Sequence, residues 1–207
     1  MPIDFKKEQK DLYQPQTTPS IIDVPAMVFI GIEGKGDPNT SVEYAAAIEA
    51  LYGLSYRIKM SNKAVLEYVV PPLEGLWNVA HDTKGGYAEI TDKGKFSWTA
   101  LIRQPDFVTD DVFEAVKTAL TKKKANLDTS KPRLMKIIEG LCVQVMHIGS
   151  YDDEPATIAT MHKFAVDNGY TIDINDTRRH HEIYLSDPRK VAPEKLKTVI
   201  RHPIRIV

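Results

Sequence analysis

The run His180-His181-Glu182-Ile183-Tyr184-Leu185 combines imidazole, carboxylate and phenol groups at strand spacing. A strand sends alternate side chains to opposite faces, so His180, Glu182 and Tyr184 share one face and Ile183 and Leu185 the other. The apolar face is expected to pack against a helix, which leaves the polar face to whatever covers the far side of the sheet. Open to water, the pattern describes a half-exposed antiparallel strand and nothing more. Covered by another part of the chain, Glu182 becomes a carboxylate set among aromatic rings. Such a group suits a cation receptor, or a general base with a raised pKa. The rings on offer are Trp77 after the Pro71–Leu76 segment, Trp98 on a central strand, and Tyr52, Tyr68 and Phe164. A large apolar pocket with a few polar groups is how proteins bind drug-sized molecules. Rings around a carboxylate favour flat or cationic ligands. Trp98, Tyr52 and Phe164 equally suit plain core positions.

Other chemistries find little support. His180 and His181 are adjacent and point to opposite faces, His147 and His162 lie on different elements, and no His-x-x-x-His pair marks a helix. No metal site is expected. The glycines of Gly31-Ile32-Glu33-Gly34-Lys35-Gly36 match neither a dinucleotide fingerprint nor a phosphate loop, and no cofactor is expected. There is no Gly-x-Ser-x-Gly elbow for a nucleophilic serine. The single cysteine, Cys142, forms no internal disulfide and reads as a small buried hydrophobe on a strand.

The elements that position these residues read as two related halves. In one, Ala26–Gly31 is a strand entering a glycine turn; in the other, Cys142–Gly149 does the same. Each turn leads through an acidic residue and a proline, Asp37-Pro38 and Glu154-Pro155, into a helix. Thr40 and Glu43 have capping-box spacing before Tyr44, Ile48, Leu51 and Tyr52; Ile158, Met161 and Ala165 mark the second helix, which Asn168-Gly169 stops. Two strands are predicted after each helix: Ser55–Met60 with Val65–Val70, and Tyr170–Ile174 with His180–Leu185. Setting Pro72 against Pro188 then sets Tyr68 against Tyr184. A strand at Phe96–Arg103 and a helix capped by Thr109 are expected between the halves, a last helix near Pro193, and a loop or arm over Lys10–Ser20.

The fold class that follows is α+β: duplicated strand–helix–strand–strand modules forming two antiparallel sheets, with a ligand groove between the halves. The 207 residues are read as a single domain, with a first half over 22–107, a linking helix within 108–132 and a second half over 133–207. With 27 Lys and Arg against 28 Asp and Glu, the net charge of −1 argues against direct nucleic-acid binding. No apolar run approaches the ~20 residues that span a bilayer, and the N-terminus lacks a signal-peptide stretch, so a cytoplasmic location is expected. Nothing in the sequence sets an oligomeric state.

The run His147-Ile148-Gly149-Ser150-Tyr151-Asp152-Asp153-Glu154-Pro155, followed by Glu182-Ile183-Tyr184-Leu185-Ser186-Asp187-Pro188, resembles the GyrI-like small-molecule-binding family. Pro72–Trp77 and Ile102–Phe107 are similar to its stand-alone branch, which includes hydrolases that open the cyclopropane ring of yatakemycin-type DNA alkylators. The resemblance implies the duplicated module and a groove between halves. It places Glu182 and Tyr184 as catalytic residues and an aromatic cage on Trp77, Tyr52, Tyr68 and Trp98, with His147 and His180 also in contact with ligand. The expected function is binding of planar aromatic xenobiotics, with hydrolysis of strained electrophiles and cellular protection. The alternative is a non-catalytic module that sequesters cationic drugs or regulates a partner, as a gyrase inhibitor does. Lack of a helix-turn-helix segment argues against direct transcriptional control.

Overall fold

The computed structural model describes residues 2–78, 93–123 and 127–207. In chain order the elements are α1 (Phe5–Glu8), α2 (Lys10–Tyr13), β1 (Ser20–Val24), β2 (Met27–Lys35), α3 (Val42–Ser61), β3 (Leu73–Asn78), β4 (Ser97–Gln104), α4 (Asp110–Lys123), β5 (Arg133–Ile137), β6 (Gly140–Ile148), α5 (Glu154–Asp167), β7 (Tyr170–Ile172), β8 (His180–Tyr184) and β9 (Lys197–Ile206). Among the described residues no helix is long and apolar enough to cross a membrane.

The strands form one antiparallel sheet in the order β1-β6-β9-β8-β3-β4-β2-β5, with β7 on β9. The duplication is visible in that order. One module is β2-α3-β3-β4, the other β6-α5-β8-β9, and their sheets stand side by side, joined where β3 pairs β8. The strand preceding each module pairs with the other module: β1 lies on β6 and β5 on β2. β1 and β5, which lie at the expected starts of the two halves near 22 and 133, therefore make their hydrogen bonds across to the other half.

Several local expectations are corrected. Ser55–Met60 is not a strand but the last turns of α3, because Leu51, Leu54, Ser55 and Ile58 form a buried stripe at helical spacing. Val65–Val70 is a connecting segment held by the isolated bridge between Ile3 and Tyr68. The first-module counterparts of β8 and β9 are β3 and β4, which pair with each other as β8 and β9 do, so Phe96–Arg103 belongs to the first module rather than lying between the two. Pro72 precedes its strand whereas Pro188 follows β8, which breaks the match of Tyr68 with Tyr184. Ser41, not Thr40, caps α3, accepting from the Tyr44 N–H at 3.1 Å. The helix near Pro193 is a single 3₁₀ turn, and the buried Val199 and Ile200 lie on β9. Lys10–Ser20 begins with α2, whose Leu12 and Tyr13 are buried.

Helices α3, α4 and α5 cover one face of the sheet; α1 and α2 cover the other. Ile30, Trp98, Ala100 and Ile102 pack under α3 and α4, and Val143, Val145 and Ile200 under α5. On the opposite face Leu12 and Tyr13 meet Phe29, Leu101, Cys142, Ile183 and Val199. Cys142 is buried here, as its sequence context suggests, and burial pushes its thiol up to about 12.

A charged cluster pins the module junction on this second face. His181 sits between Glu74 and Glu139, 2.9 Å from a carboxylate oxygen of each, and Arg201 reaches Glu139 at 3.0 Å. Arg201 also donates to the Leu12 carbonyl at 2.7 Å, which ties the arm to the sheet. Burial alone would raise the Glu139 carboxyl, but the charges of His181 and Arg201 hold it at about 2. Burial would likewise lower His181, and Glu139 and Glu74 hold it up at about 9. The pairing wins over desolvation at both groups.

Candidate functional site

Antiparallel register places Gly75 beside Glu182 and Trp77 beside His180 at the β3–β8 junction. Paired residues share a face, so Glu182, His180, Tyr184 and Trp77 all lie on the side covered by α3 and α5. This reverses the expected arrangement. The apolar face of β8 carries Ile183 into the cluster with Leu12 and Tyr13, under the N-terminal arm. The polar face is the one turned toward the long helices. The reason is the junction itself: with β8 central, both of its faces are covered, and the titratable face fills the seam between α3 and α5.

Glu182 is held from both oxygens. The Tyr184 hydroxyl donates to Oε2 at 2.7 Å, and His180 Nε2 lies 2.6 Å from Oε1. The indole of Trp77 donates to the Tyr184 oxygen at 3.0 Å, so the first module orients the second module's phenol. The Glu182 side chain is only 13% exposed. Burial and the Glu182 charge keep Tyr184 a phenol, its pKa raised well above the ordinary value. Tyr44 on α3 is raised for the same two reasons, and Tyr151 is pushed up to about 12.

Behind His180 runs a file of histidines. His180 Nδ1 is 2.5 Å from His202 Nε2, and His202 Nδ1 is 2.7 Å from His162 Nε2 on α5. Burial and the neighbouring imidazoles lower His202 well below the ordinary histidine value, and His162 to about 4. Neutral imidazoles carry one N–H each. If His162, His202 and His180 are all Nε2–H tautomers, every contact in the file has one donor and one acceptor, and the last donor faces the Glu182 carboxylate.

A second carboxylate closes the site. Glu154, the first residue of α5, is 6% exposed, and its Oε1 is buried with no hydrogen-bond partner among the described residues. Burial and the charges of Glu182 and Asp152 raise its carboxyl well above the usual range. A helix N-terminus favours an anion by up to ~1–2 kcal/mol, and here burial and like charge outweigh it. Glu154, His180 and Glu182 offer one ligand atom each, all within 4.8 Å of one another, a set that the histidine spacing alone did not suggest. A metal ion would need to replace the proton that His180 and Glu182 share at 2.6 Å, because two ligands of one ion stand farther apart than a hydrogen bond.

The rings at this seam differ in part from those expected. Trp77, Tyr184, Tyr44 and Tyr151 gather here: Tyr44 and Trp77 centroids are 6.2 Å apart, and Tyr151 meets Tyr184 edge-on at 5.9 Å. Trp98 lies behind them, 1% exposed and edge-on to Tyr44 at 4.9 Å, as a core ring. Tyr52 is two turns further along α3, stacked on Tyr56. Tyr68 is not brought to Glu182; it is fully buried against Phe107. His147 braces the turn before α5, contacting Thr157 Oγ1 at 2.8 Å and the Ser150 carbonyl at 2.9 Å. Sequence reasoning missed Glu154, Tyr44, Tyr151 and His202 as site residues. The signals for them are the Glu154-Pro155 helix entry, Tyr151 in the run before it and Tyr44 on the helix face, none of which points to Glu182 without the tertiary packing. Two surface depressions among the described residues, one lined by Leu76, Glu139 and Arg178 and one between α3 and α4, lie away from the seam.

Residues 17–205 match the family described as GyrI-like small molecule binding domain. No curated protein matches the chain. An uncharacterized conserved protein from Listeria innocua is 45% identical, with a TM-score of 0.91 over 98% of this chain and 100% of its own. A protein named a hydrolase from the same organism is 44% identical, with a TM-score of 0.88 over 98% and 100%. The EcmrR C-terminal domain, at 13% identity and TM-score 0.53 over 92% of this chain and 98% of its own, shares the fold.

Proposed function

Because this chain belongs to the GyrI-like small-molecule-binding family, we propose that it binds planar aromatic xenobiotics at the seam between α3 and α5 and hydrolyses strained electrophiles among them. The observation that carries this reading is the Glu182 carboxylate, partly enclosed among Trp77, Tyr44, Tyr151 and Tyr184 and oriented by Tyr184 and His180. The name hydrolase given to a 44% identical protein supports it. Glu182 takes a proton from water as the water oxygen bonds to a cyclopropane carbon. The C–C bond breaks, and its electron pair runs into a conjugated carbonyl oxygen, toward which the Tyr184 phenol turns its O–H as Glu182, taking up the water proton, releases it. Trp77 and the tyrosines hold the flat substrate. Positioned proton transfer supplies roughly 10²–10⁴-fold, and release of ring strain drives the rest. The setting we assign is the cytoplasm, and the benefit is protection from DNA alkylation.

A second reading, a non-catalytic module for aromatic cations, draws on the same charges. Among the described residues neither Glu154 nor Glu182 is in an ion pair with Lys or Arg, so a cationic ligand would bring the positive charge that neither side chain type supplies there.

The test is incubation with yatakemycin, following the ring-opened product by mass spectrometry, for wild type and Glu182→Gln side by side. A fluorescent planar cation serves as the binding control. Multiple turnovers lost in the variant support the hydrolase. Binding without product in wild type leaves the sequestering module.

A further inference from the structure

We propose that Glu154 is the general acid that complements Glu182, a role that rests on the hydrolase reading above. The two carboxylates come from different elements, the first turn of α5 and the middle of β8, and meet in the buried seam with ligand atoms within 4.8 Å of one another. Their surroundings differ. Glu182 receives the Tyr184 hydroxyl on one oxygen and faces His180 with the other, so both of its oxygens have partners. Glu154 has a buried oxygen with no partner, and an ionised carboxylate left that way beside another carboxylate is the costlier state. One proton between the two groups, resting on Glu154, relieves both penalties. Two carboxyls driven to opposite protonation states form an acid–base pair.

The balance closes. The oxygen of water bonds to the ring carbon, and Glu182 takes the water proton. The cyclopropane C–C bond breaks, its electron pair passes to the conjugated carbonyl oxygen, and that oxygen takes the carboxyl proton of Glu154. The product is the neutral alcohol and phenol. The protein is left with its proton on Glu182, and transfer of that proton to Glu154 restores the start. No net proton enters or leaves.

The titratable groups around the pair are His180 and Tyr184 on β8, Tyr151 and Asp152 before α5, and Tyr44 on α3. Burial holds the three phenols protonated and, with the neighbouring carboxylates, raises Glu154, so the alkaline limb assigned to Glu154 is the one that its replacement by Gln removes. The acid role therefore requires kcat to fall on the alkaline side.

The experiment has two arms on the full chain. Infrared difference spectra of wild type minus Glu154→Gln at neutral pH should show a carboxylic-acid C=O stretch; its absence overturns the proposal whatever the activity. With yatakemycin as substrate, Glu154→Gln should lose about a hundredfold or more in kcat with KM nearly unchanged, and should lose the alkaline limb of the wild-type pH profile. Glu154→Asp, which keeps the carboxyl, should recover part of kcat. A far-ultraviolet circular dichroism spectrum and a urea midpoint like those of wild type show that each variant is folded. An active wild type with an equally active Glu154→Gln overturns the acid role alone. A wild type that turns nothing over overturns the hydrolase reading, and the acid role with it.

Discussion

Trp77 on β3 donates to the hydroxyl oxygen of Tyr184 on β8 at 3.0 Å, and that hydroxyl in turn donates to Glu182. Two residues 107 positions apart thus set the phenol that holds one carboxylate, and the first module acts on Glu182 through the second module's Tyr184. Trp77→Phe keeps the ring and removes the donor. A neutral hydrogen bond contributes ~1 kcal/mol, so affinity for a planar cation should fall by about fivefold in isothermal titration, with the melting temperature little changed. Unchanged affinity would remove this bridge from the binding account.

Gly75 lies beside Glu182 in the register because nothing larger fits there. A Cβ at this position would stand 2.7 Å from Trp77 Nε1 and 2.9 Å from the Tyr184 oxygen. Both contacts are far ends of side chains, so Gly75→Ala should displace the bridge rather than the strand. The variant should unfold within about 1–3 kcal/mol of wild type while ligand affinity drops further than in Trp77→Phe. Urea titration and ligand titration on the same sample separate the two effects.

The junction cluster on the arm face gives a stability prediction. Removing one partner of a buried pair costs roughly 3–5 kcal/mol, so Glu139→Gln should lose that much in urea unfolding near neutral pH. The Glu139 carboxyl is depressed to about 2 in the fold, so its contribution is present above its unfolded value, near 4.5, and is lost as pH falls through about 2. His181 is raised to about 9, so its contribution is full below its unfolded value, near 6.5, and is lost as pH rises through about 9. The gap between wild type and variant should accordingly narrow toward both extremes. A gap independent of pH would remove the charges from the explanation.

The histidine file acts in the opposite sense. His162 is depressed to about 4, so the unfolded chain binds its proton first as pH drops from about 6.5. Wild-type stability should fall across that window, and His162→Phe should flatten the fall. Histidine NMR titration should place one ring near 4 and show no neutral-pH protonation of His202. A normal titration of His162 would contradict the packing described.

The duplication, the α+β class and the face shared by His180, Glu182 and Tyr184 were legible in the sequence, because period-two alternation and proline-glycine punctuation are local signals. The two strands expected after the first helix, Ser55–Met60 and Val65–Val70, are absent for an equally local reason. Ser55–Met60 alternates polar and apolar residues, while the stripe Leu51, Leu54, Ser55, Ile58 belongs to a helix, and only packing against β2 and β4 decides between the periods. With Tyr68 displaced by that error, Trp77 alone of the proposed first-module cage residues meets the titratable face directly, through Tyr184.

What the sequence by itself determined is which side chains share a strand face, since backbone geometry within five residues fixes that. What only the tertiary structure decided is what lies opposite that face. Glu154 reaches Glu182 across 28 positions, Trp77 reaches Tyr184 across 107, and His162, His202 and His180 align from three elements. The cause is the β3–β8 pairing, which joins two modules into one sheet and closes α3 and α5 over the seam. Burial there, not residue type, leaves one Glu154 oxygen without a hydrogen-bond partner among the described residues while both Glu182 oxygens have one.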